Sequence, residues 1–172
     1  MSLLRTHPEK MTAELFVTKQ SMIDNLFAQV RRHHLARKSS HQPADCNDSS
    51  AVERESAQDS ISDQLLSDLF FALQSPLEYA LDLIDKEAVT RLVNRTCPGH
   101  FVFQVVGTSG ASYTCFPETN FCTCPFYKFS VLRKEEFVMC KHVIAARLAV
   151  CLETCKDVEA SSPDLAKLLS EI

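Results

Sequence analysis

Apolar positions along the chain fall into blocks separated by polar stretches, and each block has its own period. Over residues 11–36, Met11, Leu15, Met22, Ile23, Leu26, Phe27 and Val30 recur mostly at steps of three and four, which predicts a helix. That stripe ends in a basic run, Arg31, Arg32, His33, His34, Arg37 and Lys38. Residues 39–60 hold six serines, five acids, one Val and no aromatic. Such a stretch buries too little surface to offset its ordering entropy and reads as a disordered linker. Leu65, Leu66, Leu69, Phe70 and Leu73 then share a helix face. Ser75-Pro76 reads as a cap with proline at the first position of a second helix, whose apolar side is Leu77, Ala80, Leu81, Ile84 and Ala88. The expectation is a helical hairpin across residues 61–92.

The period next changes to two. FVFQVV (101–106) and SYTCF (112–116) are β-rich and joined by GTSGA, which predicts a hairpin with a five-residue loop. Pro117 to Asn120 make a further turn, residues 143–155 read as a helix, and Ser162-Pro163-Asp164 opens a last short helix with the stripe Leu165, Leu168, Leu169 and Ile172. The whole is α+β: a helical N-terminal half, a ββα unit and a short C-terminal helix. As domains this gives a helix over 1–38, a linker over 39–60, the helical hairpin over 61–95, the ββα unit over 96–155 and a helix over 156–172.

Composition sharpens this picture. The chain has 172 residues, 45% of them apolar, with 11 Phe, 3 Tyr and no Trp, enough for one ordinary domain with extra segments. No apolar run is long enough to span a membrane, and the N-terminus lacks the basic-then-apolar pattern of an export leader. With no export expected, eight cysteines point to metal ligation rather than to a disulfide framework. A net charge of −4 argues against a protein that coats nucleic acid through general basicity.

Four of the thiol and imidazole groups have a spacing that carries chemistry. Cys122-x-Cys124 is followed, fifteen residues later, by Cys140-x-His142. Two residues apart on an extended strand, Cys122 and Cys124 point to one side. Within a helix Cys140 and His142 would diverge by about 200°. Cys140 is therefore expected just before the helix and His142 in its first turn. Three thiolates and an imidazole fill the tetrahedron of a structural zinc ion and leave no open position for a catalytic water. The alternative is a set of ordinary buried thiols with a chance histidine; the second pair, at a helix start after a hairpin, favours the metal.

Cys-x-Cys followed by Cys-x-His is the signature of the SWIM zinc finger, and Ala145 matches the Cys-x-His-x-x-Ala ending of that family. ALDLIDKEAVT (80–90), YTC (113–115), FSVLRK (129–134) and CKH (140–142) further resemble the SWIM-domain subunit of the Shu complex in animals, over roughly residues 61–150. The resemblance implies a non-catalytic, nuclear protein. Such proteins pair with a recombinase paralogue of P-loop ATPase fold, in an obligate heterodimer, and promote or stabilise recombinase filaments on single-stranded DNA in homologous recombination and meiosis. The chain itself carries no GxxxxGK[ST] phosphate loop. A free-standing SWIM nucleic-acid-binding module, acting in transcription or chromatin, is the alternative.

Direct DNA contact would fall on the spacer. Lys128, Arg133, Lys134, Lys141 and Arg147 outnumber Glu135 and Glu136, and Phe126, Tyr127 and Phe129 interleave with them, the combination of phosphate attraction and base stacking that single strands require. The competing reading makes Phe126 and Phe129 core residues beside the metal. Leu65, Leu69, Phe70, Leu73 and Leu81 exceed what a minimal zinc module needs and are expected either to dock the partner or to pack on the zinc unit. Cys115 is placed to compete for the metal or simply to pack. Cys151 and Cys155 read as small buried groups on one helix face, and Asp82 and Asp85 as a solvated face. The basic run 31–38 reads as a charged helix end or as an aid to nuclear import.

Overall fold

The computed structural model describes residues 13–40, 61–170 and 172. The proposed linker lies outside the described residues except for Ser39 and Ser40, which are helical. In chain order the elements are α1 (Ala13–Ser40), α2 (Asp63–Leu73), α3 (Pro76–Asp85), β1 (Val89–Asn94), β2 (Phe101–Val106), β3 (Ser112–Phe116), β4 (Phe121–Cys122), α4 (Lys141–Cys151), β5 (Lys156–Ala160) and α5 (Ser162–Ser170). A 3₁₀ turn (Pro117–Thr119) precedes β4, and a π-helical segment (Tyr127–Arg133) lies between β4 and α4. Among the described residues no helix is long and apolar enough to cross a membrane.

The strands form one sheet in the order β4-β3-β2-β1-β5, antiparallel throughout except for the parallel β1–β5 pair. Register sets Val89 opposite Val105 and Phe103 opposite Cys115, so these four buried residues share one face of the sheet. Helix α4 is buried almost all round: Val143, Ile144, Ala145, Ala146 and Leu148 have no exposed surface. It packs on the sheet, on α3 and on α1. Ala145 keeps this helix slim enough to sit in that slot.

Three expectations are corrected. The helical hairpin does not run to residue 92 or 95, because α3 stops at Asp85 and Val89–Asn94 is an inner strand of the sheet, between β2 and β5. The helix after the metal ligands stops at Cys151 rather than 155, and residues 156–160 are an edge strand rather than part of the last helix. Both helix ends have the same cause. Glu87 and Glu153 adopt left-handed backbone (φ 52° each), and the amides beyond them close onto the last turn, Ala88 N–H to Leu83 O at 2.9 Å and Thr154 N–H to Ala149 O at 3.0 Å. Pro76 does open α3, but Ser75 makes no side-chain capping bond; the serine caps are on α2, where Ser62 Oγ accepts from Leu65 N–H at 3.4 Å, and on α5, where Ser161 Oγ accepts from Asp164 N–H at 3.3 Å.

The partner surface expected on α2 and α3 is also corrected. Leu65, Leu69, Leu73 and Leu81 are buried in this chain's own core, and of the five only Phe70 is exposed. In α1, Ile23, Leu26, Phe27 and Val30 are buried as the stripe predicts, whereas Met22 faces out.

Candidate metal centre

Each ligand is positioned by a different local device. β4 ends at Cys122, and the turn that follows folds back so that the Cys124 amide donates to Cys122 Sγ at 3.4 Å and the Tyr127 amide to Cys124 Sγ at 3.3 Å. This is a knuckle: backbone N–H groups aimed at the sulfurs place both on one side of the chain. Cys140 stands in extended conformation immediately before α4, and His142 lies in the first turn. The spacer between the two ligand pairs contains the π-helical segment, in which Tyr127 and Ser130 are buried.

The four ligand atoms all lie within 4.8 Å of one another, and all four residues are buried. His142 Nδ1 is 3.8 Å from Cys122 Sγ. Tetrahedral zinc with bonds of about 2.3 Å to sulfur and about 2.0 Å to nitrogen requires roughly 3.6 Å between those atoms, so the geometry fits. Nδ1 is thus the metal-facing nitrogen. The other ring nitrogen, Nε2, is buried without a hydrogen-bond partner among the described residues and lies on the far side, where a Cβ on Gly107 would stand 3.5 Å from it. The Tyr113 ring stacks on the imidazole at 4.6 Å between centroids. Tyr113 packs against the ring, and its signal in sequence was the two-residue alternation that sets Tyr113 and Cys115 on one strand face.

The electrostatics call for a cation. Cys124 is held far below the ordinary thiol range by hydrogen bonds from Cys122 first and then Cys140. Cys122 is driven up, first by Cys115 and then by Cys124, and Cys140 is driven up by Cys122 and Cys124. Left alone, the pocket ionises one sulfur at the expense of its neighbours, because three thiolates at this separation repel one another. A divalent cation removes the conflict and takes all three as thiolates. A buried, closed Cys3His set of this geometry is a structural zinc site.

Outside the cluster the candidates separate. Cys115 is not among the four groups that converge, though it is fully buried beside them. Cys151 is buried at the end of α4 with its thiol directed at Phe27 O, and Cys155 lies beyond the helix rather than on its face. Asp82 pairs with Lys86 at 2.7 Å. Lys128, Arg133 and Lys134 are exposed, and Lys141 is partly exposed over the Tyr79 ring at 5.5 Å. Arg147 leaves the basic group: its guanidinium pairs with Asp24 at 2.6 Å and covers Phe27 at 4.1 Å. Phe126 and Phe129 are exposed rather than packed in the core.

No protein-family profile matches the chain, and no solved structure matches it. Among curated proteins it is similar to zinc finger SWIM domain-containing protein 7 of Mus musculus, 41% identical over 121 residues, which is 70% of this chain and 77% of the relative. It is 37% identical to the Homo sapiens protein of that name over 119 residues, 69% of this chain and 82% of the relative. The Danio rerio protein is 38% identical over 110 residues, 64% of this chain and 77% of the relative.

Proposed function

The chain belongs to the family of zinc finger SWIM domain-containing protein 7, and from that membership we propose that it is a non-catalytic subunit of a Shu-type recombination mediator complex. In this reading it forms an obligate heterodimer with a recombinase paralogue of P-loop ATPase fold. The pair promotes or stabilises recombinase filaments on single-stranded DNA, in the nucleus, during homologous recombination repair and meiosis. ATP chemistry belongs to the paralogue. The closed ligand set supports a role without catalysis, since it keeps no position for a reacting group.

One observation carries the reading: the outer face of the π-helical segment. FSVLRK (129–134) makes up most of this segment, with Phe129 and Leu132 exposed at 49% and 57% and Phe126 exposed as well. Large apolar side chains held outward on such a segment suit docking. The test is co-expression with the paralogue, comparing wild type with Leu132→Asp and Phe129→Asp. The reading requires stoichiometric co-purification of wild type, and loss of the paralogue from the variants with zinc retained. A wild-type chain that purifies without the paralogue, or variants that keep it in full, would overturn it.

A second reading, a free-standing SWIM module that binds nucleic acid, is favoured by two ammonium–ring pairs. Lys134 lies over Phe129 at 4.8 Å and Lys141 over Tyr79, with Lys128 and Arg133 nearby in sequence. It requires that the chain alone bind single-stranded DNA with a salt dependence that Arg133→Ala/Lys134→Ala reduces. Equal weak binding by both proteins removes the spacer from consideration.

A further inference from the structure

The metal cluster has a fifth neighbour that none of its four ligand roles uses. Cys115 on β3 is the register partner of Cys122 on β4, and both are fully buried. Its thiol has two acceptors in reach, Cys122 Sγ at 3.4 Å and Tyr113 O at 3.8 Å; the sulfur is the nearer, and once a metal holds Cys122 as a thiolate, Cys115 is the partner that carries the proton. It stands outside the group of four mutually close ligand atoms.

The three sulfurs consequently differ in their donors. Cys122 Sγ accepts from the Cys124 amide and the Cys115 thiol, and Cys124 Sγ accepts from the Tyr127 amide. Cys140, although it precedes α4, makes no side-chain capping bond to that helix, and among the described residues no hydrogen bond from outside the ligand set to its sulfur is found. Solvent access does not separate the three, because Cys122, Cys124 and Cys140 are 0%, 1% and 0% exposed. Each donor to a metal-bound thiolate draws electron density off the sulfur, stabilises it on the metal and lowers its reactivity toward electrophiles.

We propose that Cys115 is a positioning residue of the zinc centre, whose S–H bond to the Cys122 thiolate makes Cys122 the most firmly held and least reactive sulfur. Cys140, with no such donor, is the sulfur that electrophiles reach first. The site therefore opens from its Cys140 side, and Cys122 stays anchored to the sheet through its strand partner.

The test uses the full chain loaded with zinc, or with cobalt(II) as a spectroscopic replacement, and compares wild type with Cys115→Val and Cys115→Ser. With limiting N-ethylmaleimide on the zinc protein, mass mapping should find Cys140 labelled ahead of Cys124 and Cys122 last. Cys115→Val should raise labelling at Cys122, move the sulfur-to-cobalt charge-transfer bands to longer wavelength and lower zinc affinity by about 10-fold against a competing chelator. Cys115→Ser, whose hydroxyl is a stronger donor, should keep Cys122 labelled last, hold zinc affinity at the wild-type level and move the bands to shorter wavelength. If the Val variant does not fold, the Ser variant decides alone: its stronger donor should move the bands to shorter wavelength, and unmoved bands overturn the proposal. Cys122 labelled first in wild type, unchanged bands in both variants, or equal losses in Val and Ser would each overturn it.

Discussion

Arg147 is a basic residue of the spacer region in sequence and a structural residue in the fold. Its side chain is 15% exposed, lies over Phe27, pairs with Asp24 and donates to Asn120 Oδ1 at 3.3 Å, so one guanidinium ties α1 to α4 and to the turn before β4. Arg147→Ala should destabilise the chain by about 1–2 kcal/mol, through the lost ring contact and the partly buried pair. Urea unfolding checks this, and an unchanged midpoint would show that α1 does not depend on the contact. Nothing in the local sequence separates Arg147 from Arg133. What distinguishes them is that the α4 position faces a helix more than a hundred residues earlier in the chain.

At the scale of elements, the left-handed residues decide where helices end. Glu135 (φ 55°) closes the π-helical segment as Glu87 and Glu153 close α3 and α4, with Glu136 N–H returning to Ser130 O at 3.0 Å. A side chain in that region carries strain that glycine lacks, partly offset by glycine's greater freedom when unfolded. Glu135→Gly should thus raise stability by about 0.5–1 kcal/mol, read as a higher thermal midpoint of the zinc protein. A lowered midpoint would contradict it. The chain has 3 glycines and marks none of these ends with one, so stop signals based on glycine pass over residues 87 and 153. β1 and β5 were illegible for that reason, and β5 also because Lys156, Asp157 and Glu159 give an edge strand almost no apolar alternation.

The β1–β5 pair depends weakly on pH. Arg91 hydrogen-bonds Asp157 and holds its carboxyl below the usual range, so the pair stabilises above the ordinary aspartate pKa, and that contribution is lost as pH falls through the depressed value. Asp157 is half exposed, which limits the effect to under about 1 kcal/mol. Asp157→Asn should cost about that amount at neutral pH, read as a lower urea midpoint of the zinc protein. An unchanged midpoint would show that the pair contributes nothing.

For the whole molecule the metal outweighs any of these contacts. Cys122, Cys124 and His142 join β4, the knuckle and α4, and α4 is the element on which the sheet, α3 and α1 all rest. Removing zinc, or replacing Cys140 by serine, should unfold the C-terminal half, because the binding free energy of such a site is on the order of 10 kcal/mol. Circular dichroism with and without a chelator tests this, and a chelated protein with an unchanged spectrum would overturn it. Acid should act in the same direction, since the ligands must be thiolates and a neutral imidazole to hold the ion.

The sequence by itself determined the metal. Spacing puts Cys122 and Cys124 on one side of an extended chain and divides Cys140 from His142 at a helix start, and these are local geometric facts that need no tertiary contact. It likewise determined the β2–β3 hairpin and the buried stripe of α1. Which apolar and charged groups are available outside depended on the packing of distant elements. Leu65, Leu69, Leu73 and Leu81 went into the core, Phe126 and Phe129 stayed out, Arg147 turned to α1 and Cys115 came to rest behind Cys122. Burial and pairing of that kind are settled by which distant element covers a face, and periodicity reports that a face exists without saying what lies against it.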